Sequence, residues 1–144
     1  DAQVSDADIF VSVAAVADYR PETNQAQKIK KHTASFSLEL VRNPDILATV
    51  AGRSSPPFTV GFAAETEDPV AQARQKLESK KVDFMVANQV GGENSPFGRD
   101  DNALILVESQ RETDLGRGSK QALAQRLVRE IASRYHAKHS APDS

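Results

Sequence analysis

Residues 8–15 read DIFVSVAA and residues 58–64 read FTVGFAA, and both are short apolar runs with few polar interruptions. Strands of a parallel sheet are covered on both faces, so their sequences run almost continuously apolar and do not alternate. We therefore predict that both runs are strands of a parallel sheet, each covered on its two faces.

A short helix is predicted between these two strands. It begins at Asn43, Pro44 and Asp45, because an asparagine cap, a proline in the first turn and an acidic side chain near the N-terminus are typical of a helix start. Gly52 is predicted to end it. Its buried stripe is predicted to comprise Ile46, Leu47 and Val50.

Two more helices and two more strands follow along the chain. Asp68 and Pro69 begin the next helix, since apolar residues then recur at helical spacing; they are Val70, Ala73 and Leu77. Strands are predicted over residues 82–87 and 103–107. Ser119 is predicted to cap the last helix. The apolar face of that helix is predicted to comprise Leu123, Leu127, Val128 and Ile131.

The order of these elements predicts the fold class. Strand, helix, strand, helix, strand, strand and helix favour an α/β domain with a mainly parallel sheet flanked by helices. Phe36, Leu38 and Leu40 alternate with polar residues, which predicts a half-buried strand in a hairpin or a small extension that lies apart from the main sheet. We place one domain over residues 1–135 and predict that the polar residues 136–144 are a disordered tail.

Composition limits the function classes. The chain has 144 residues, a formal net charge of -2 and no cysteine. This charge is not typical of a protein that binds nucleic acid or an anionic membrane, and the lack of cysteine excludes disulfides, thiolate zinc sites and a cysteine nucleophile. No apolar run is long enough for a membrane span, and no signal peptide is visible. We expect a cytoplasmic protein without nucleic-acid or membrane partners.

Ligands of such sheets bind beyond the carboxyl ends of the strands, which here fall at residues 14–18, 63–66 and 88–90. Asp18 ends the first strand, where its carboxylate would bind a ribose hydroxyl or a hydrated metal ion, or would cap a turn. Lys28 and Lys30 project to one face of an extended segment and would hold a phosphorylated ligand, or are simply a solvated charge run.

Other candidates have equally open interpretations. Lys76 and Lys80 lie one helical turn apart on one helix face. They would bind a phosphate group together, or they serve solubility alone. Phe62 would stack on a base or pack in the core, and Asn88 would orient a substrate amide or cap a turn. Together these residues favour a site for a phosphate-rich ligand at one edge of the sheet.

Several familiar catalytic motifs are missing. The histidines His32, His136 and His139 have no metal-ligand spacing, so we assign no metal-ligating residue. There is no Gly-x-Ser-x-Gly elbow, no Walker loop and no GxGxxG segment. These absences disfavour a nucleophilic hydrolase, a P-loop enzyme and a nicotinamide-dependent oxidoreductase of the Rossmann type, the last of which is kept as an alternative.

The motifs taken together resemble phosphopantothenoylcysteine synthetase, the phosphopantothenate–cysteine ligase of coenzyme A biosynthesis. The resemblance covers residues 9–135 in the family's order. It is carried by AAVADYRP at 14–21, KIKK at 28–31, NPDI at 43–46, VGFAAET at 60–66, Ala87 with Asn88, and DNA at 101–103. It implies a Rossmann-like sheet and a homodimer that uses the extension around residues 36–40. In bacteria the domain is usually fused to a flavin-dependent decarboxylase, and the flavin belongs to that other domain.

The resemblance also implies a reaction and a set of site residues. The substrates are CTP, 4′-phosphopantothenate and L-cysteine, with Mg²⁺, and an acyl-cytidylate is the intermediate. Lys28 matches the lysine that supports the activation step. Further matches to nucleotide contacts are Asp18, Pro44, Asp45, Ile46, Leu47, Phe62, Lys76 and Lys80. We expect Ala14, Ala15 and Asn88 to contact the substrate.

One feature of the family has no counterpart in these residues. Family members begin the domain with a glycine-rich strand and loop and an Ile-Ser-Asn segment that serves the cysteine-dependent step. We therefore expect the first βα unit to be missing here. This leaves an alternative, in which the chain is an inactive nucleotide-binding or dimerisation fragment of the ligase.

Overall fold

The computed structural model describes residues 4–23, 35–90 and 98–140. In these ranges the chain forms seven strands and three helices. The strands are β1 (Ile9–Ser12), β2 (Tyr19–Pro21), β3 (Leu40–Arg42), β4 (Phe58–Glu65), β5 (Phe84–Gln89), β6 (Asp101–Val107) and β7 (Glu112–Ser119), and the helices are α1 (Ile46–Ala51), α2 (Pro69–Lys80) and α3 (Lys120–Ser140). No helix within these ranges has the length and apolarity needed to cross a bilayer.

The main sheet has the strand order β1-β4-β5-β6-β7. β1 pairs with β4, and β4 with β5, in parallel. β6 is antiparallel to both of its neighbours, β5 and β7, so four of the five strands run in one direction. The helices flank this mostly parallel sheet, which confirms the predicted α/β, Rossmann-like class.

β4 is an inner strand of the sheet, between β1 and β5, and most of it is buried, as its continuous apolar sequence predicted. Val60 and Ala63 are fully buried, and the neighbouring β5 contributes the fully buried Phe84 and Val86. The same apolar pattern did not give a buried strand at β1, which ends at Ser12 and lies at the edge of the described sheet. Residues 13–15 leave the sheet, and Val11 and Val13 are exposed, so the prediction of a strand over 8–15 covered on both faces is wrong.

The helix ends follow their capping signals with one correction. Asp68 caps α2, and the Ala122 N–H donates to Ser119 Oγ at 3.2 Å at the start of α3. Gly52 ends α1 as predicted, but the N-cap of α1 is Asp45, whose carboxylate accepts from the Ala48 N–H. The prediction that Asn43 caps α1 is wrong, since Asn43 lies two residues before the N-cap.

The apolar faces of the helices are narrower than predicted. Leu123, Leu127 and Ile131 are buried on α3; they are four residues apart and therefore share one face of the helix. Val128 is exposed, because each residue advances about 100° around a helix and this turns Val128 away from that face. Ile46 is likewise exposed, at the start of α1. α3 also continues through Ser140, so it includes part of the stretch 136–144 that we predicted as a disordered tail.

Two strands had no clear sequence signal. β7 reads ETDLGRGS and lies at the outer edge of the sheet, where a polar sequence protects a strand from pairing with other chains. β2 is a three-residue strand that pairs antiparallel with β3 in a separate two-stranded sheet. This small sheet is the predicted extension. However, the strand begins only at Leu40, and Phe36, Leu38 and Leu40 are exposed, not half-buried.

We predict that Gly61→Ala destabilises the fold. A Cβ at Gly61 would lie 2.5 Å from both Leu47 Cδ2 and Met85 Sδ, so the substitution overpacks the contact between α1 and the sheet and should cost about 1–3 kcal/mol of unfolding free energy. Urea denaturation measures this. Gly118→Ala is the matched control, since nothing lies within 4 Å of its added Cβ. Equal stability of the two variants would contradict the packing argument.

Candidate functional site

A cavity of about 520 Å³ lies beside the carboxyl ends of β1 and β4. One wall is the segment 12–18, which continues β1 after it leaves the sheet, and a second wall is the segment 42–47, which leads into α1. Residues of β4, β5 and α2 complete the lining: Phe62, Ala64, Lys76, Lys80 and Met85. The cavity therefore occupies the position at which open α/β sheets bind ligands.

The base of the cavity is apolar. Leu47 of α1 and Met85 of β5 are buried, and both line the cavity. Phe62 is half-buried; it packs against the core and also lines the cavity. The two interpretations of Phe62 given above are thus compatible, because the residue both packs against the core and lines the cavity.

The lysines of α2 meet carboxylates at the cavity. Lys76 pairs with Glu65 at the end of β4, and Lys80 pairs with Asp45 at the start of α1. Spacing alone indicated a shared face of α2, but the carboxylate partners come from other elements and had no signal in the sequence. A phosphate ligand would have to compete with these carboxylates for the ammonium groups.

Asp45 has two structural roles at once. Its Oδ1 accepts from the Ala48 N–H at 3.0 Å, and its Oδ2 pairs with Lys80. Partial burial acts to raise the pKa of Asp45, but the Ala48 hydrogen bond and the Lys80 ammonium outweigh it, so the pKa lies below its usual value of 3.8. Asp45 is therefore a carboxylate at neutral pH and joins α1 to α2.

Two further charged residues line the cavity. The carboxylate of Asp18 and the guanidinium of Arg42 form no hydrogen bond or ion pair with other residues in the described ranges. Asp18 had been singled out from the sequence, whereas Arg42 had not, because a single arginine at a strand end carries no distinctive pattern.

The structure brings most of the predicted site residues into this one cavity. It is lined by Ala14, Ala15, Asp18, Pro44, Asp45, Ile46, Leu47, Phe62, Lys76 and Lys80. Asn88 is not among them; it lines a separate cavity of about 320 Å³ together with residues of β6 and β7. Lys28, Lys30 and His32 fall outside the described residues.

No metal cluster is visible among residues 4–23, 35–90 and 98–140, where no group of three or more His, Asp or Glu could hold an ion. His139 instead contacts the Tyr135 carbonyl through Nδ1 at 2.8 Å within α3.

Comparison with known families decides what kind of domain this is. The family model described as "DNA/pantothenate metabolism flavoprotein C-terminal domain" matches residues 1–135. The chain belongs to this family. The resemblance drawn from the motifs is thereby confirmed, and the matched residues include every segment that lines the cavity.

A relative from Vibrio vulnificus (strain CMCP6), the coenzyme A biosynthesis bifunctional protein CoaBC, is 49% identical over 133 residues. The matched region covers 90% of this chain and 33% of that protein. The chain thus spans about a third of the length of this relative, so the activity of the whole relative does not pass to it directly.

Solved structures agree with the family. The C-terminal domain of CoaBC superposes with a TM-score of 0.67 and 27% identity, over 90% of this chain and 58% of that one. The DNA/pantothenate metabolism flavoprotein from Streptococcus pneumoniae gives a TM-score of 0.73 at 20% identity, over 92% and 66% of the two chains, and shows the shared fold.

We predict that Asp45→Ala costs about 1 kcal/mol of unfolding free energy at pH 7, because α1 loses its N-cap. The lowered pKa of Asp45 adds a pH dependence. A carboxyl with a depressed pKa stabilises the fold above its unfolded-state pKa, and that contribution is lost as the pH falls through its folded-state value. The difference between the wild-type and variant proteins should therefore shrink below pH 3.8, as measured by urea denaturation from pH 7 to 3.

The control for this pH dependence is Ser119→Ala. It removes an uncharged cap at the start of α3, so its cost should not change with pH. If Asp45→Ala lowers the unfolding free energy by the same amount at every pH, the charge of Asp45 does not contribute to stability.

Proposed function

We propose that this chain forms the nucleotide-binding part of a CTP-dependent phosphopantothenate–cysteine ligase of coenzyme A biosynthesis. The observation that supports it is the cavity: residues from three of the motifs, 14–21, 43–46 and 60–66, and the lysine pair of α2 line one concave site at the expected edge of the sheet. Membership of the family and the coenzyme A biosynthesis named in the relatives support a role in that pathway, and the ligase reaction itself is what the motif resemblance implies.

The proposed reaction has two steps. A carboxylate oxygen of 4′-phosphopantothenate attacks the α-phosphorus of CTP, a P–O bond forms, and the bond to the leaving pyrophosphate breaks. The amine of cysteine then attacks the acyl carbon of the acyl-cytidylate, gives up a proton, and CMP leaves with the electron pair of the broken C–O bond. Both steps require the reacting groups to be aligned and the developing charge to be dispersed.

The residues of the cavity suit the nucleotide. Phe62 offers a ring face to a base, and the segment 44–47 offers backbone groups to the base edges. Lys76 and Lys80 would exchange Glu65 and Asp45 for phosphate oxygens, which are also anionic acceptors. Ala14 and Ala15, in the opposite wall, would contact the phosphopantothenate.

Among the described residues, the charges at the cavity cancel. Arg42, Lys76 and Lys80 are balanced by carboxylates, namely Asp18, Asp45 and Glu65. A triphosphate would therefore bring uncompensated negative charge into the site. We propose that Lys28, assigned to the activation step by the family resemblance, supplies part of the missing positive charge.

Mg²⁺ is proposed to supply the rest. This ion usually takes one or two protein carboxylates, together with water and substrate phosphates. Asp18 fits that role, since its carboxylate lines the cavity and has no partner among the described residues. When bound, the ion would disperse the charge of the triphosphate.

We also propose two protein partners, a second copy of the chain and a fused decarboxylase domain. A homodimer would cover the exposed Phe36, Leu38 and Leu40. Fusion to a flavin-dependent decarboxylase is suggested by the bifunctional relatives. Since the chain covers 58% of the solved CoaBC domain, a second candidate is a nucleotide-binding fragment that lacks part of the catalytic machinery.

We predict that this chain binds CTP with Mg²⁺ more tightly than it binds NADH. Isothermal titration of the purified chain measures this, with ATP as a second comparison. A preference for NADH would overturn the ligase and favour the oxidoreductase alternative. CTP binding without pyrophosphate release, when phosphopantothenate and cysteine are added, would favour the fragment.

Lys28→Gln should abolish acyl-cytidylate formation in a full-length ligase that contains this segment, because the activation step loses a cation beside the triphosphate. Pyrophosphate release dependent on phosphopantothenate is the measurement. Lys31→Gln makes the same change of charge in the same motif and serves as the control. Unchanged pyrophosphate release from Lys28→Gln would exclude the assigned role.

A further inference from the structure

Asn43 joins the two walls of the cavity. Its side-chain Nδ2 donates to the Ala17 carbonyl at 2.7 Å, and its backbone N–H donates to the Asp18 carbonyl at 2.8 Å. Ala17 and Asp18 belong to one wall, and Asn43 belongs to the other. The two segments are more than twenty residues apart in sequence, so these bonds set their spacing.

Arg20 forms hydrogen bonds to Asn43 and to the residue before it. Its Nη1 donates to the Arg42 carbonyl at 2.9 Å and to Asn43 Oδ1 at 3.1 Å. The amide of Asn43 therefore accepts on one side and donates on the other, which fixes the orientation of its plane. Asn43, Arg20, Ala17 and Asp18 form a connected set that we call the wall clamp.

The clamp has a different purpose from helix capping. Asp45 already caps α1, so the Asn43 side chain is not needed for the first turn of the helix. Instead, it faces back to the segment that follows β1. Two charged residues that line the cavity take part through their own backbone: the Asp18 carbonyl accepts from the Asn43 N–H, and the Arg42 carbonyl accepts from Arg20. We therefore expect a change in the clamp to shift both residues.

We infer that Asn43, supported by Arg20, is a positioning residue that holds the walls of the cavity at the spacing the nucleotide requires. This inference rests on the proposed function and deepens it. Neither side chain needs to touch the nucleotide, because both act through the backbone of residues 17–18 and 42–43. Misplacement of a binding wall by about 1 Å is enough to weaken binding strongly.

Hydrogen exchange tests the clamp without any ligand. In Asn43→Ala the backbone N–H at position 43 still faces the Asp18 carbonyl, so its protection reports whether the walls remain together. We expect exchange of this amide to accelerate about tenfold, whereas amides in β4 and β5 keep their rates. Asn43→Asp should behave similarly, because it loses the donor to Ala17.

The control for loss of stability is Arg74→Ala. Arg74, like Arg20, donates through Nη1 to two oxygens, here the backbone carbonyls of Glu108 and Ser109, and it also pairs with Glu112, away from the cavity. It should leave exchange at position 43 unchanged. Arg20→Ala should accelerate that exchange, and the effects of Arg20→Ala and Asn43→Ala should not add, since both break the same connected set.

Titration with CTP and Mg²⁺ tests the consequence for binding. Asn43→Ala should raise the Kd about tenfold relative to the wild-type chain, and Arg74→Ala should not change it. Unchanged exchange at position 43 overturns the clamp, and faster exchange with an unchanged Kd overturns its positioning role. If the wild-type chain binds no CTP, the proposed function fails separately, and exchange alone decides whether Asn43 holds the walls.

Discussion

The close approach of α1 to β4, an inner strand of the sheet, is the constraint on which the rest of the site depends. Gly61 has no Cβ, which leaves space for Leu47 of α1 and Met85 of β5 to meet over β4. Because Leu47 is held there, the start of α1 lies beside α2, and Asp45 reaches Lys80. One missing methyl group thus determines the base of the cavity and one of its charged walls.

Charge pairing prepares the cavity but leaves it close to neutral. The two lysines of α2 are held by Glu65 and Asp45, which orients their ammonium groups toward the cavity and keeps them from repelling each other. A polyanionic ligand would replace the carboxylates as acceptors and would then need further cations. The proposed Mg²⁺ and Lys28 would supply these cations.

The sequence predicted the buried elements better than the exposed ones. β4, α2 and the cap at Asp68 follow from local patterns, because burial and capping leave strong periodic or positional signals. β2, β7 and the edge position of β1 were missed or misread, since an edge strand carries no obligatory alternation. At the site, local patterns identified Asp18, Lys76 and Lys80 but not Arg42. Arg42 lines the cavity only because folding brings its segment close to residues 12–18.

By itself, the sequence determined the fold class, the family and most residues of the cavity, because apolar runs, caps and the order of motifs are local properties of the chain. Only the tertiary structure decided which groups meet: Lys80 with Asp45, Lys76 with Glu65, and Asn43 with Ala17. It also separated Asn88 from the main cavity. These contacts join residues distant in the chain, and their geometry depends on packing across the sheet, which no local pattern records.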